Sequence, residues 1–304
     1  MSRARRAGYR LVGSRLDFLL HTRPAEWPIV AAHTSLGYVL AVGVTNAFRS
    51  DRLAPAALGV GLWVVCLNGG TLALNSAFDR DEGDVAYLRQ PPTPPAGLAG
   101  FGFGLMLVGL LGAGLLPVGY RVAYAFCLVL SVLYSVPPFR LKAVPGADWL
   151  INMWGFGTLT PYAGWAATGL PVGTVGTLVL LAFCPLFAAL YPLTQIYQFE
   201  EDARRGDRTL ALALGLRRSL LVALGAASLA FGLFAVAAWR TAWSPSDRWR
   251  WLPLILAAAG WGLVLIPWLR RLQVMTVRNH QHGMYRALLA WALTDLAVVL
   301  AWGS

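Results

Sequence analysis

Apolar residues fill this chain in long unbroken runs, and the polar residues collect between them. The runs cover about 28–48, 54–78, 97–119, 122–136, 150–168, 172–197, 219–239, 251–269 and 286–302. A helix needs about 20 residues to cross the hydrocarbon core of a bilayer. Gly and Ala recur within the runs and polar positions do not alternate with apolar ones, so packed helices are predicted rather than barrel strands. The expected fold is all-α: a polytopic membrane bundle of nine transmembrane helices, with residues 1–304 as one integral-membrane domain. Ahead of the first run, RLVGSRLDFLL sets arginines among Leu, Val and Phe. It reads as a basic amphipathic helix on the membrane surface, so 1–26 is expected as a cytoplasmic amphipathic segment. The first run lacks a short apolar core followed by a small-residue cleavage site, so no cleavable signal peptide is expected.

Composition agrees with a membrane setting. The chain is 57% hydrophobic and only 13% charged, where a soluble domain carries about 25% charged residues. A formal charge of +11 could suggest a nucleic-acid partner, but the basic residues sit in short connections between spans, as the positive-inside rule requires. Nucleic acid is therefore excluded and membrane lipid is the expected surroundings. With the N-terminus in the cytoplasm, 19 basic residues fall on the inner side and 6 on the outer. The expected topology is N-in, C-out. Cys66, Cys127 and Cys184 lie far apart inside apolar runs and are expected to pack rather than bind metal.

The acids are concentrated. Of 14 Asp and Glu residues, eight lie in two bursts: Asp79, Asp81, Glu82 and Asp84 at the end of the second run, and Glu200, Glu201, Asp202 and Asp207 at the end of the sixth. Acids at a helix C-terminus oppose its dipole at a cost of about 0.3–1 kcal/mol each, which calls for a compensating cation; simple solvation is the alternative. Asn75 precedes Asp79 by one turn on the same helix face. Asn75, Asp79 and Asp84 are read as ligands of a Mg²⁺ bound to a diphosphate, and Asp202, supported by Gln198 one turn earlier, as the holder of a second. Hard oxygen donors suit Mg²⁺, whose other ligands are water and phosphate oxygens. In YSVPPFRLK, Pro137 and Pro138 end the fourth helix, and Arg140 and Lys142 are expected to project toward phosphate. The topology puts these three polar connections on the cytoplasmic face, so one active site is expected there. A transporter with a midplane ion site would place its acids mid-helix instead.

NSAFDRDEGD, YSVPPFRLK and DARRGDRTLALALG resemble the three cytoplasmic signatures of the UbiA superfamily of intramembrane prenyltransferases, and TRPAEWP resembles the segment leading into that family's first helix. Nine helices is also the family's number. The resemblance implies Mg²⁺-dependent ionisation of an isoprenyl diphosphate inside the bundle and transfer of the isoprenyl group to a lipophilic, aromatic or other, acceptor. A UbiA-type terpene cyclase, with ring closure and no acceptor, is the alternative. The implied diphosphate-binding residues are Arg23, Tyr134, Arg140, Lys142 and Gln198. The family's first motif has the form NDxxDxxxD. Here Ser76 replaces its first Asp, Asp79 matches the second, and Gly83 stands at the third with Asp84 one residue on. In the second motif Gln198 replaces one acid, and Glu201 is the residue expected to join Asp202 on the metal. Asp295, a lone acid within the last span, is a catalytic candidate beside Asp79 and Asp202, by orienting an acceptor or stabilising a cation; a hydrogen bond to a neighbouring helix is the other reading.

The topology is directly measurable. With the native cysteines removed, a cysteine at Arg89 or Arg205 is expected to react only with membrane-permeant thiol reagents, and one at Ser246 with impermeant reagent from outside. The reverse pattern overturns the N-in assignment.

Overall fold

The computed structural model describes residues 3–79, 88, 90–199, 203, 206 and 208–304. Asp84, Glu201 and Asp202 lie outside the described residues. Two short amphipathic helices, α1 (Arg3–Val12) and α2 (Leu16–His21), lead into α3 (Trp27–Val42). There follow α4 (Leu53–Asp79), α5 (Leu98–Ala113), α6 (Val118–Ser135), α7 (147–166), α8 (Thr174–Gln198), α9 (Leu210–Thr241), α10 (Trp251–Arg270) and α11 (Val277–Trp302). The fold is all-helical. Among the described residues six helices, α4, α6 and α8 to α11, are long and apolar enough to span a membrane, while α3 and α5 are apolar but shorter.

The helix ends follow local chemistry. Pro117 starts α6, and α6 stops at Ser135 before the Pro137–Pro138 pair, as expected. Two helices begin earlier than hydropathy alone indicates. The Thr209 side chain accepts the Leu212 N–H, so α9 starts at Leu210 and runs across a kink at Gly215 (φ 74°). The Thr276 side chain accepts the Asn279 N–H, so the polar stretch RNHQH becomes the first turns of α11. Such caps supply partners to N–H groups that have none within the helix.

The apolar residues form two main cores. One joins α3 to α7 through Trp63, Met106, Tyr120 and Tyr124; the other joins α8 to α11 through Phe183, Phe234, Trp261 and Trp291. Within the first, α3 and α7 touch backbone to backbone. A Cβ on Gly37 would lie 1.7 Å from the Pro161 carbonyl oxygen, and one on Gly164 would lie 1.8 Å from that of Thr34. Only glycine allows this approach, the usual route to tight helix packing in lipid.

Among the described residues, two helices turn π-helical, and both stretches contribute residues to the space between the cores. Leu62–Asn68 within α4 and Met153–Leu159 within α7 are π-helical, a form common at functional sites. In α7 the Thr160 N–H reaches back to the Gly155 carbonyl, and the Thr160 hydroxyl donates to that same oxygen at 2.9 Å.

One buried carboxylate ties three helix ends together. Asp148 is fully buried. Its oxygens accept the Gly146 N–H at 2.9 Å, the Leu210 N–H at 3.1 Å and the Gln195 side-chain amide at 2.9 Å. Gln195 in turn accepts the Ala211 N–H at 3.2 Å. Asp148 therefore holds the start of α7, the end of α8 and the start of α9 in one place. Hydrogen bonds to a charged group contribute about 1.5–3 kcal/mol each. Asp148→Ala is expected to cost about 3 kcal/mol or more, read as a lowered Tm in detergent, with Gln195→Leu costing less. An unchanged Tm in Asp148→Ala would show that this junction does not hold the fold.

Candidate functional site

A cavity of about 330 Å³ lies between the two cores, within the range of small-molecule sites. Its walls come from α3, α4, α6, α7, α8 and α11, and its lining is mostly apolar. Along α4 the lining runs from Trp63 through Leu67, Asn68 and Thr71 to Asn75. A helix of 27 residues is roughly 40 Å long, more than the ~30 Å hydrocarbon core, so α4 carries Asn75 and Asp79 to one mouth of the bundle.

At that mouth the sequence-predicted residues meet. The Asp79 side chain is only 5% exposed, and Lys142 donates to its Oδ1 in a short contact; the Arg140 guanidinium lies 3.6 Å from the same oxygen. A carboxylate this buried persists because it is paired; the loss of one partner would leave an uncompensated charge. Asn75 lines the cavity one turn inward, and its amide oxygen accepts from the Ser135 hydroxyl at 3.4 Å. Ser76, at the position of the missing motif Asp, is buried and does not line the cavity.

The loop that leads into α3 closes the same region. Arg23 is 7% exposed and lines the cavity, 4.0 Å from Glu26. Arg23 and Arg140 both hold positive φ, 51° and 36°, a conformation costly for side-chain-bearing residues and concentrated at functional sites. Tyr134 lines the cavity and its hydroxyl lies 2.9 Å from that of Tyr191. Gln198 ends the tight turn that closes α8, next to Tyr197, which lines the cavity. Phe156 stacks on Phe187 (5.3 Å, 13°), and Phe187 on Tyr191 (6.3 Å), giving the cavity an aromatic wall. Phe78 and Trp154 do not line the cavity and are exposed.

Asp295 stands apart from this group. Its oxygens lie 3.0 and 3.1 Å from His33 Nδ1, while His33 Nε2 faces the Gly157 carbonyl at 3.3 Å. It sits about two turns along α11 from Leu288, which lines the cavity. Its bond joins α11 to α3, the inter-helix hydrogen bond given above as the other reading.

Three residues at the cavity carry features that sequence reasoning passed over. Glu26 is a carboxyl at the start of α3 that shares the loop with Arg23. Tyr191 extends the aromatic wall. Asn68 is 5% exposed and lines the cavity, yet neither atom of its amide has a partner. An unsatisfied buried polar group costs about 1–3 kcal/mol. The visible signal was a lone amide in the apolar stretch VVCLNGG.

The donor set at the mouth fits a hard cation: a carboxylate and a carboxamide on successive turns of one helix, all oxygen and no sulfur. No group of three or more His, Cys, Asp or Glu residues that could hold a metal occurs among the described residues; Asp84, Glu201 and Asp202, the other acids read as ligands, lie outside them.

The structure thus combines an apolar cavity within an all-helical bundle and, one turn beyond its Asn75 wall, a buried carboxylate paired with two cations. Comparison with known proteins gives the family. The UbiA prenyltransferase family matches residues 29–294, and the chain belongs to it. It is 30% identical over 221 residues to the lycopene elongase/hydratase of Haloferax volcanii, covering 68% of each chain. It is 29% identical over 296 residues to the digeranylgeranylglyceryl phosphate synthase of Natronomonas pharaonis, covering 91% of this chain and 96% of that one. In fold it matches a UbiA homologue from Archaeoglobus fulgidus bound to DMAPP and Mg²⁺, with a TM-score of 0.65, 18% identity, and coverage of 93% of this chain and 99% of that one.

Glu26 provides a test of the site's electrostatics. Burial pushes its carboxyl above the ordinary 4.5, and the Arg23 charge opposes the shift without cancelling it. The folded protein thus binds this proton more tightly than the unfolded chain, so the stabilisation is complete below the ordinary pKa and is lost as pH rises through the raised one. Glu26→Gln is expected to raise Tm at pH near 7.5, with the gain shrinking as pH falls toward 4.5. An equal difference at both pH values would show that burial leaves this carboxyl unperturbed.

Proposed function

We propose that the protein ionises an isoprenyl diphosphate at the mouth of the cavity and transfers the isoprenyl group to a lipophilic acceptor within the membrane. The observation that supports this reading is the cluster of Asp79, Arg140 and Lys142 one helical turn beyond Asn75, which lines an apolar, aromatic-walled cavity. The names of the two relatives quoted, an elongase and a synthase, support transfer to an acceptor over ring closure without one.

Asn75, Asp79, Asp84, Asp202 and Glu201 would hold Mg²⁺, which supplies charge neutralisation for a leaving diphosphate. Arg140, Lys142 and Arg23 pair with phosphate oxygens through charge-assisted hydrogen bonds, and Tyr134 and Gln198 add neutral ones. In the described structure Lys142 and Arg140 are engaged with Asp79; a diphosphate gives these cations a second anionic partner. The allylic C–O bond then breaks with its electron pair going to the diphosphate. Phe156, Phe187 and Tyr191 present π-faces to the allylic cation, and the apolar wall keeps bulk water from quenching it. The acceptor's electron pair forms the new bond and a proton is released. Asp295 acts here as a positioning residue, holding α11 against α3 through His33. The proposal includes the nine-span, N-in topology, with α3, α5 and α7 completing the spans and the mouth facing the cytoplasm.

Metal removal and charge removal test this reading. EDTA is expected to abolish diphosphate release and Mg²⁺ to restore it. Asp79→Asn and Asp202→Asn are each expected to lower the release rate by roughly a hundredfold or more, and Glu201→Gln to demand a higher Mg²⁺ concentration. Near-wild-type release in Asp79→Asn or Asp202→Asn removes that residue from the metal site.

A further inference from the structure

Asn68 is the polar group that the cavity leaves unanswered. The other hydroxyls along this stretch of wall are satisfied within it. Thr71 donates to the Leu67 carbonyl at 2.7 Å and lies 2.8 Å from Ser131, whose hydroxyl donates to the Cys127 carbonyl at 2.8 Å. Thr160 is bonded to Gly155, and Thr194 to the Tyr191 carbonyl at 2.6 Å. The Asn68 amide, 5% exposed and facing the cavity at the end of the π-helical turn, has no partner on either atom. The neighbouring hydroxyls are satisfied within the wall and this amide is not, which marks it as a place where something binds.

The prenyl donor cannot be that something. Asn68 lies eleven residues before Asp79, roughly 16 Å along the helix. An allylic diphosphate held by its head near Asp79 presents only hydrocarbon at that depth. The amide offers a donor and an acceptor together, and a hydroxyl is complementary to both. A carboxylate only accepts and would leave the amide oxygen unmatched.

We propose that Asn68 is a binding subsite for an uncharged hydroxyl, supplied either by the acceptor or by a water molecule that captures a carbocation after transfer. This deepens the proposed function and rests on it. If the acceptor supplies the hydroxyl, Asn68 orients it and the new bond forms as described above. If water supplies it, the water oxygen adds to the carbocation, a C–O bond forms, and the proton passes to the diphosphate already released.

The test uses the purified full-length protein in detergent with Mg²⁺ and dimethylallyl diphosphate, in H₂¹⁸O. The acceptors are lycopene, which has no hydroxyl, and a neutral quinol alongside its O-methyl ether. Products are normalised to diphosphate released, so the reading does not depend on how active a variant is. A water source predicts an ¹⁸O-labelled alcohol from lycopene and, in Asn68→Leu, a shift toward unlabelled alkene of about tenfold or more. An acceptor source predicts unlabelled product and a loss, in Asn68→Leu, of about tenfold in the preference for the quinol over its ether. Asn68→Gln, which keeps the amide, restores part of either effect. Tm gives an independent reading: removing an unpartnered amide for an apolar group of similar size leaves Tm unchanged or raises it. Release of diphosphate with both product ratios unchanged in Asn68→Leu overturns the subsite alone, as does a clearly lowered Tm. No release by the wild type with any allylic diphosphate overturns the proposed function and the subsite with it.

Discussion

The constraint behind this structure is that a bilayer offers no water to a polar group. Each buried donor, acceptor or charge must find its partner inside the protein or be left costly. Asp148 meets the requirement with backbone N–H groups and a glutamine amide, and so locks three helix ends around one mouth. Asp79 meets it with Lys142 and Arg140. Among the described residues the backbone meets it largely by staying helical, and turns π-helical where α4 and α7 line the cavity.

The same constraint separates structure from chemistry. Asp148 and the Asp295–His33 pair are satisfied by partners on other helices and join those helices. Asp79 is satisfied by two cations that also suit phosphate, at a mouth where a charged head can arrive from water. The cavity beneath it has little to offer a charge and much to offer a hydrocarbon: Phe156, Phe187, Leu67 and Leu190. In the proposed function, head and tail of an isoprenyl diphosphate would find opposite ends of one space.

Much of this was legible in the sequence. The apolar runs gave the helices, because burial in lipid demands continuous apolar stretches, and the two prolines after Ser135 marked where α6 ends. The convergence of Asn75, Asp79, Arg140 and Lys142 was readable because acids and cations in loops on one face of a membrane protein have few places to go. Less could be read where tertiary context decides. The starts of α9 and α11 depend on Thr209 and Thr276 as caps, which hydropathy does not register. The π-turns, the backbone contact at Gly37 and Gly164, and the isolation of Asn68 depend on which helices become neighbours. Asp295 reads from sequence as a catalytic acid or as a helix-to-helix bond; its pairing with His33 depends on α3 lying beside α11, which no single segment encodes.

The central claim is that Asp79 exchanges its contact with Lys142 for a divalent cation when a diphosphate arrives. The most direct measurement is a crystal structure with Mn²⁺ and a non-ionisable thio-analogue of an allylic diphosphate, with the metal located by anomalous scattering. The account predicts a peak at about 2.0–2.2 Å from an Asp79 carboxylate oxygen, with Lys142 moved onto a phosphate oxygen and the hydrocarbon tail in the cavity beside Phe156. An intact Asp79–Lys142 pair, with the metal and diphosphate bound elsewhere, would contradict it.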